Sequence, residues 1–191
     1  MMHRFTTIKE SLMKPICAVF LLLLLPSCLF GQEIKNTSYV TTAGERVLQL
    51  EMVIPVGRPE AWKLFSTVEG WKKWAAPVVS MDFRIGGQVQ THYDKSKAIG
   101  DAGTIRLPII NYLEGEMITL RVILTETFAS KVRQEDQNLQ EIIQLVDFGK
   151  GKTKLISSMI GWGKGPEWDK AYDFFTKGNE WTYKELAKLF H

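Results

Sequence analysis

Cysteine is nearly missing from this chain. Its two cysteines, Cys17 and Cys28, both fall within the first 28 residues. Everything beyond Cys28 therefore has no disulfide, no thiolate metal site and no cysteine nucleophile, and a packed core has to hold it. Histidine is almost as scarce, with His92 and the terminal His191 the only ones after His3. One internal histidine and scattered acids give no metal-ligand cluster, so neither a metal nor another cofactor is expected. Strong charge is lacking as well. Of the formal net charge of +3, two charges come from Arg4, Lys9 and Lys14 set against Glu10, which leaves about +1 on the rest. So balanced a surface does not suit nucleic acid. No serine stands in a G-x-S-x-G elbow, which argues against that class of hydrolase. Gly149-Lys150-Gly151-Lys152-Thr153 lacks the spacing of a phosphate loop and is read as a hairpin with solvated lysines.

What the chain has at its start is a leader. Arg4, Lys9 and Lys14 form a basic region, and Ile16 to Leu25 is an apolar run of about ten residues. That run is too short to span a bilayer and right for a signal peptide, here residues 1–31, with Met13 as an alternative start. Cleavage after Gly31 leaves a soluble exported chain beginning at Gln32, periplasmic or secreted. The competing reading takes Leu25-Pro26-Ser27-Cys28 as a lipobox with Cys28 acylated, although Pro26 is unusual there. Membrane association is expected only in that second case. Residues 32–46 read as a polar tether. The remaining length fits one domain with a sizeable core, residues 47–191.

From Val47 to Val56 apolar and polar residues nearly alternate, predicting a long strand that Pro55 and Gly57 end. Arg58-Pro59-Glu60 opens a helix, with proline in its first turn and an acid at its positive end. Glu69-Gly70-Trp71 breaks that helix, and Lys72 to Ala75 adds one more turn. Asp82 to Ile85 reads as a strand before the Gly86-Gly87 turn. Strands are predicted at Gln88–Tyr93, Thr104–Tyr112, Met117–Leu124, Gln140–Phe148 and Lys152–Ile160. The polar stretch Lys131–Asn138 is an outward edge strand or a mobile loop. Pro166 starts a long helix reaching Phe190, with Trp168, Tyr172, Phe175, Asn179 and Leu186 on one face. This order predicts an α+β fold: a curved antiparallel sheet of about six or seven strands wrapped around a long C-terminal helix, with two short helices after the first strand.

Several motifs taken together carry a resemblance. They are Ile54-Pro55, Ala61-Trp62, Trp74 and Asp82-Phe83-Arg84-Ile85-Gly86-Gly87, then Gly161-Trp162, Phe175, Gly178-Asn179 and Leu186. Over about Val47 to Phe190 the chain resembles the START-like or helix-grip superfamily, also called polyketide cyclase/dehydrase or SRPBCC. The nearest branch is the one named for an activator of a heat-shock chaperone ATPase. The resemblance implies a helix-grip fold with an apolar cavity. Its motifs define the fold and bring no active site with them.

Six tryptophans suggest a cavity walled by aromatic faces, though core packing explains many of them, Trp62 above all. The candidate cavity residues are Trp74, Tyr112, Met117, Trp162, Tyr172, Phe175 and Asn179. A buried Asn179 needs partners, from backbone or from a ligand. His92 is the one weak catalytic candidate. Alternation places it opposite Val89, Thr91 and Tyr93 on a solvated outer face, and a slip of one residue would turn it inward. Asp82 and Arg84 share a face as a surface ion pair, or Arg84 reaches a ligand carboxylate. Three functions follow. The preferred one is an exported module binding a hydrophobic small molecule or lipid between sheet and helix. The others are a cavity-type enzyme of the cyclase, dehydratase or hydrolase kind, with His92, Asn179, Tyr172 and Tyr112 as candidates, and a co-chaperone-like interaction module, which an exported domain suits poorly.

Overall fold

A computed structural model describes residues 33–191. The leader, both cysteines and the two cleavage readings lie outside the described residues. Nine strands and four α-helices follow in the order β1 (Lys35–Asn36), β2 (Tyr39–Val40), β3 (Arg46–Ile54), α1 (Arg58–Ser66), α2 (Val68–Trp74), β4 (Val78–Met81), β5 (Gln88–His92), β6 (Ile105–Leu113), β7 (Met117–Arg121), α3 (Ser130–Gln134), β8 (Gln140–Gly149), β9 (Lys152–Ile160) and α4 (Pro166–Lys188). All pairings are antiparallel, in the order β1-β3-β9-β8-β7-β6-β5-β4, with β2 also on β3. This is the expected α+β helix-grip architecture, with two more strands than expected.

The extra strands come from the stretch read as a tether. Lys35 pairs with Glu51 and Tyr39 with Val47, in one continuous register. A turn closed by Thr41, Gly44 and Glu45 joins this interrupted edge strand to β3. Backbone pairing holds the segment although its side chains are mostly exposed, so hydropathy gives no sign of it. A second difference lies at Asp82–Gly87, which is a turn and not a strand. Asp82 N–H bonds to Gln88 O, Gly87 N–H to Arg84 O, and Gly86 takes a positive φ of 78°. The strand sits just before it, in β4. Third, Lys131–Asn138 is neither edge strand nor loop but α3 and a 3-10 turn. Val132 and Asp136 are buried there, and Asp136 accepts from the backbone N–H of Leu124.

The tryptophan-rich turn has a hydrogen-bonding reason. The last carbonyls of a helix have no partner within it. In α1, Lys63 O accepts from the Thr67 hydroxyl, Leu64 O from Trp74 Nε1 at 3.1 Å, and Phe65 O from Trp71 Nε1 at 2.7 Å. Thr67 also caps α2 by accepting from Gly70 N–H. Gly70 lets the two helices meet, because a Cβ there would overlap Lys63 O and Leu64 Cα. The elbow so formed packs Phe65, Trp71 and Trp74 into the core. Substituting Gly70→Ala is expected to destabilise the domain by about 1–3 kcal/mol through overpacking, measured as a lower urea midpoint with unchanged m-value. An unchanged midpoint would show that the elbow has slack.

Candidate functional site

The long helix α4 crosses the sheet and is packed down at both ends. Trp168 and Ala171 are buried near its start, and Leu186 and Ala187 near its close. Between them Phe175, Asn179, Thr182 and Tyr183, at helical spacing, line a cavity of about 140 Å³ against the sheet. Across from them stand Trp71 and Trp74 of the elbow and strand residues such as Thr91 and Ile143. Tyr93, half exposed, lies at its rim and meets Trp181 edge to face at 6.4 Å.

The cavity contains a carboxyl group. On β8, Glu141 shares the inward face with Ile143 and Leu145, and on β9 Ser157 shares it with Leu155 and Met159. The β8–β9 register pairs Glu141 with Met159 and Ile143 with Ser157, so Glu141 and Ser157 are diagonal neighbours. Ser157 Oγ donates to Glu141 Oε1 at 2.7 Å, and the Tyr183 hydroxyl donates to the same oxygen at 3.0 Å. No described residue donates to Oε2. Among the described residues the only side-chain polar atom both buried and unpartnered is Arg121 Nε, so Glu141 Oε2 is without a donor but not sealed off, on a residue that lines the cavity. Burial pushes the Glu141 carboxyl above its usual pKa, opposed by the Ser157 and Tyr183 hydrogen bonds. Burial, with the nearby carboxylate, raises Tyr183 well above the usual tyrosine value. Tyr93 is raised too, mainly by burial. Trp74 stacks on Tyr183 at 5.7 Å and 18°, which fixes the ring that carries this donor.

Of the expected cavity residues, Trp74, Phe175 and Asn179 line this space together. The other four do not. Tyr112 packs on Phe83 at 4.9 Å and on Trp62, at the α1 end of the sheet. Met117, half-buried at the start of β7, pairs with Leu113 and Gln144. Trp162 donates to Met159 O and packs on Tyr172 and Phe175, outside the cavity. Tyr172 lies beneath the Arg46 guanidinium, 4.9 Å from its ring centre, beside the start of α4. Asn179 gives its amide to Met159 Sδ at 3.2 Å, a weak acceptor, and bonds no backbone group.

His92 does stand opposite Val89 and Thr91, but it is buried and not solvated. The loop after β5 folds over it, so that Nδ1 accepts from Asp94 N–H and Nε2 donates to Ala102 O, each at 3.0 Å. Both ring nitrogens are spent on backbone and neither faces the cavity. Arg84 pairs with Asp82 at 2.9 Å on the surface, away from the cavity. Among the described residues no group of three or more His, Cys, Asp and Glu is placed to hold a metal ion. Glu141, Ser157 and Tyr183 were missed, although an acid in an apolar alternation was a visible signal in Glu141-Ile142-Ile143-Gln144-Leu145.

The raised Glu141 pKa fixes the sign of a pH effect. Between the unfolded value and the raised folded one, the native state holds a proton that the unfolded chain has lost. Stability from this group is therefore full below about 4.5 and falls as pH rises through the folded pKa. Glu141→Gln removes that loss. The variant is expected to match the wild type at acid pH and to exceed it above the folded pKa, by about 1.4 kcal/mol for each pH unit the titration is displaced. Urea unfolding of both proteins across pH checks this, and a constant difference would show that Glu141 titrates normally.

Comparison with known proteins follows the same outline. Residues 56–191 match the family model described as Activator of Hsp90 ATPase homolog 1-like protein. No curated protein matches the chain by sequence. CalU16 from Micromonospora echinospora is similar in structure, with 13% identity over 83% of each chain and a TM-score of 0.57. So is the Aha1 dimer from Colwellia psychrerythraea, at 13% identity over 75% of this chain and 92% of that one, TM-score 0.55. A conserved Enterococcus faecalis protein of unknown function has 13% identity over 81% of this chain and 76% of its own, TM-score 0.57. At such identities these likenesses concern the fold alone. With the family model covering most of its length, the chain belongs to the Activator of Hsp90 ATPase homolog 1-like family.

Proposed function

We propose that this is an exported binding domain that holds one small, mainly apolar molecule between α4 and the sheet. The observation that carries the reading is the aromatic-walled cavity with a single oriented carboxyl inside it. Pockets of this type join apolar walls to a few placed polar groups. Size narrows the occupant. About 140 Å³ lies below the roughly 300–1,000 Å³ of drug-sized pockets. It is close to the roughly 150 Å³ of an apolar cavity that accepts benzene. A single ring fits, whereas an acyl lipid would need the helix to move. The basic and apolar leader supports export, and among the described residues no helix is long and apolar enough to cross a membrane.

A second reading, a cavity-type enzyme, is favoured by the same carboxyl. A buried acid with a raised pKa and one open oxygen can carry a proton at a pH where an ordinary carboxylate cannot. Glu141, and not His92, would be that group.

Binding is tested with toluene, followed by ligand-observed NMR and tryptophan fluorescence. Toluene is expected to bind the wild type. Ala75→Leu, which extends a buried lining residue into the space, is expected to weaken it at least about tenfold with little loss of thermal stability. Equal toluene affinity in a folded Ala75→Leu protein would place binding elsewhere. Native mass spectrometry of the protein purified with its own leader separates the readings: a retained stoichiometric molecule supports a carrier, and release of a chemically altered molecule supports the enzyme.

A further inference from the structure

Charge in the cavity is one-sided. Among the lining residues Glu141 is the only acid, and no Lys, Arg or His is present. The ionisable groups facing Glu141 are Tyr183 from α4 and Tyr93 from just beyond β5, and Ser157 from β9 is neutral. Both tyrosines, already protonated at ordinary pH, are shifted further that way, so neither brings charge. Two donors converge on Oε1 and none reaches Oε2, so Glu141, which lines the space, keeps one acceptor free.

Three kinds of occupant meet this arrangement differently. A ligand carboxylate or phosphate would face a like charge with no cation to offset it, which disfavours fatty acids and other anions. A purely apolar ligand would seal Oε2 away from water with no donor, at the cost of an unsatisfied buried acceptor. A cationic donor answers both problems, since charge-assisted hydrogen bonds are the strong ones and no cation already offsets Glu141 in this space. We infer that the cavity selects a ring-bearing amine, with its ammonium group on Glu141 Oε2 and its ring among Trp71, Trp74 and Phe175. This rests on the binding reading above and names the ligand class for that same site.

Four probes of one ring size decide it: toluene, benzyl alcohol, benzylamine and benzoate, titrated into wild type and Glu141→Gln. In the wild type at neutral pH benzylamine is expected to bind at least about tenfold tighter than benzyl alcohol, and benzoate more weakly than either. The amine preference should shrink as acid protonates Glu141, while benzyl alcohol is unaffected. In Glu141→Gln benzylamine should fall to the level of benzyl alcohol. If toluene and benzyl alcohol bind but benzylamine binds no tighter, the amine assignment is overturned and the binding reading survives. If a folded Glu141→Gln protein keeps the amine preference, the assignment is overturned as well. If no ring probe binds the folded wild type, both fall. Should the variant not fold, the wild-type ranking and its pH dependence decide alone.

Discussion

The hydrogen bond from Tyr183 to Glu141 ties the helix to the sheet of this domain through a carboxyl that lines the cavity. Among the described residues the other polar links from α4 to the sheet are an ion pair of Asp169 with Arg46, a long hydrogen bond of Glu180 with Asn36, and the Asn179 amide on the weak acceptor Met159 Sδ; the rest of the contact is apolar packing. At Glu141 a relay of contacts crosses all layers. The Leu64 carbonyl at the end of α1 holds the Trp74 indole, Trp74 stacks on Tyr183, Tyr183 donates to Glu141, and Glu141 accepts from Ser157 on β9. Each member is fixed by the one before it. The ends of a helix, which must find partners somewhere, are thereby coupled to the orientation of one buried carboxyl.

That coupling explains which parts of the fold were legible in the sequence. Alternation reported β3, β8 and β9 well, because each has one face on the core and apolar residues mark it. It failed where backbone pairing and not side-chain burial makes the structure. Tyr39 and Val40 are exposed and still bonded in register to β3. Asp82–Gly87 alternates like a strand but closes on itself through Asp82, Arg84 and Gly87. The segment around Val132 has too few apolar residues to display a helical period, and what anchors it is polar: Asp136 on Leu124, and Glu135 on the Trp168 indole.

The site was legible by face and not by position along that face. Helical spacing put Phe175 and Asn179 inward correctly, but Trp162 and Tyr172 are spent in packing near the start of α4, where Trp168 seats the helix. Tyr112 belongs to the cluster of Trp62 and Phe83 at the other end of the sheet. The cavity lies against the middle stretch of α4, between the buried residues at its two ends. Spacing in one chain segment cannot locate such a gap, since it depends on how two elements are propped apart. Glu141 was open to sequence reasoning as an acid within an apolar alternation, but its partners Ser157 and Tyr183 come from register and helix phase together.

Two locally unfavourable features occupy this one place. A space of about 140 Å³ forgoes the packing contacts that a filled core would make there. A largely buried carboxyl adds its own desolvation, and an apolar residue of similar shape would remove it. Ordinary core selection would eliminate either, since small lining residues such as Ala75 leave room for bulk and Glu141 sits among Ile143 and Leu145. Departures from local consistency gather at sites that do work. Here the space and the charge are not independent defects, because Glu141 lines the void, and on the proposed function one event resolves both, the entry of a molecule that fills one and donates to the other.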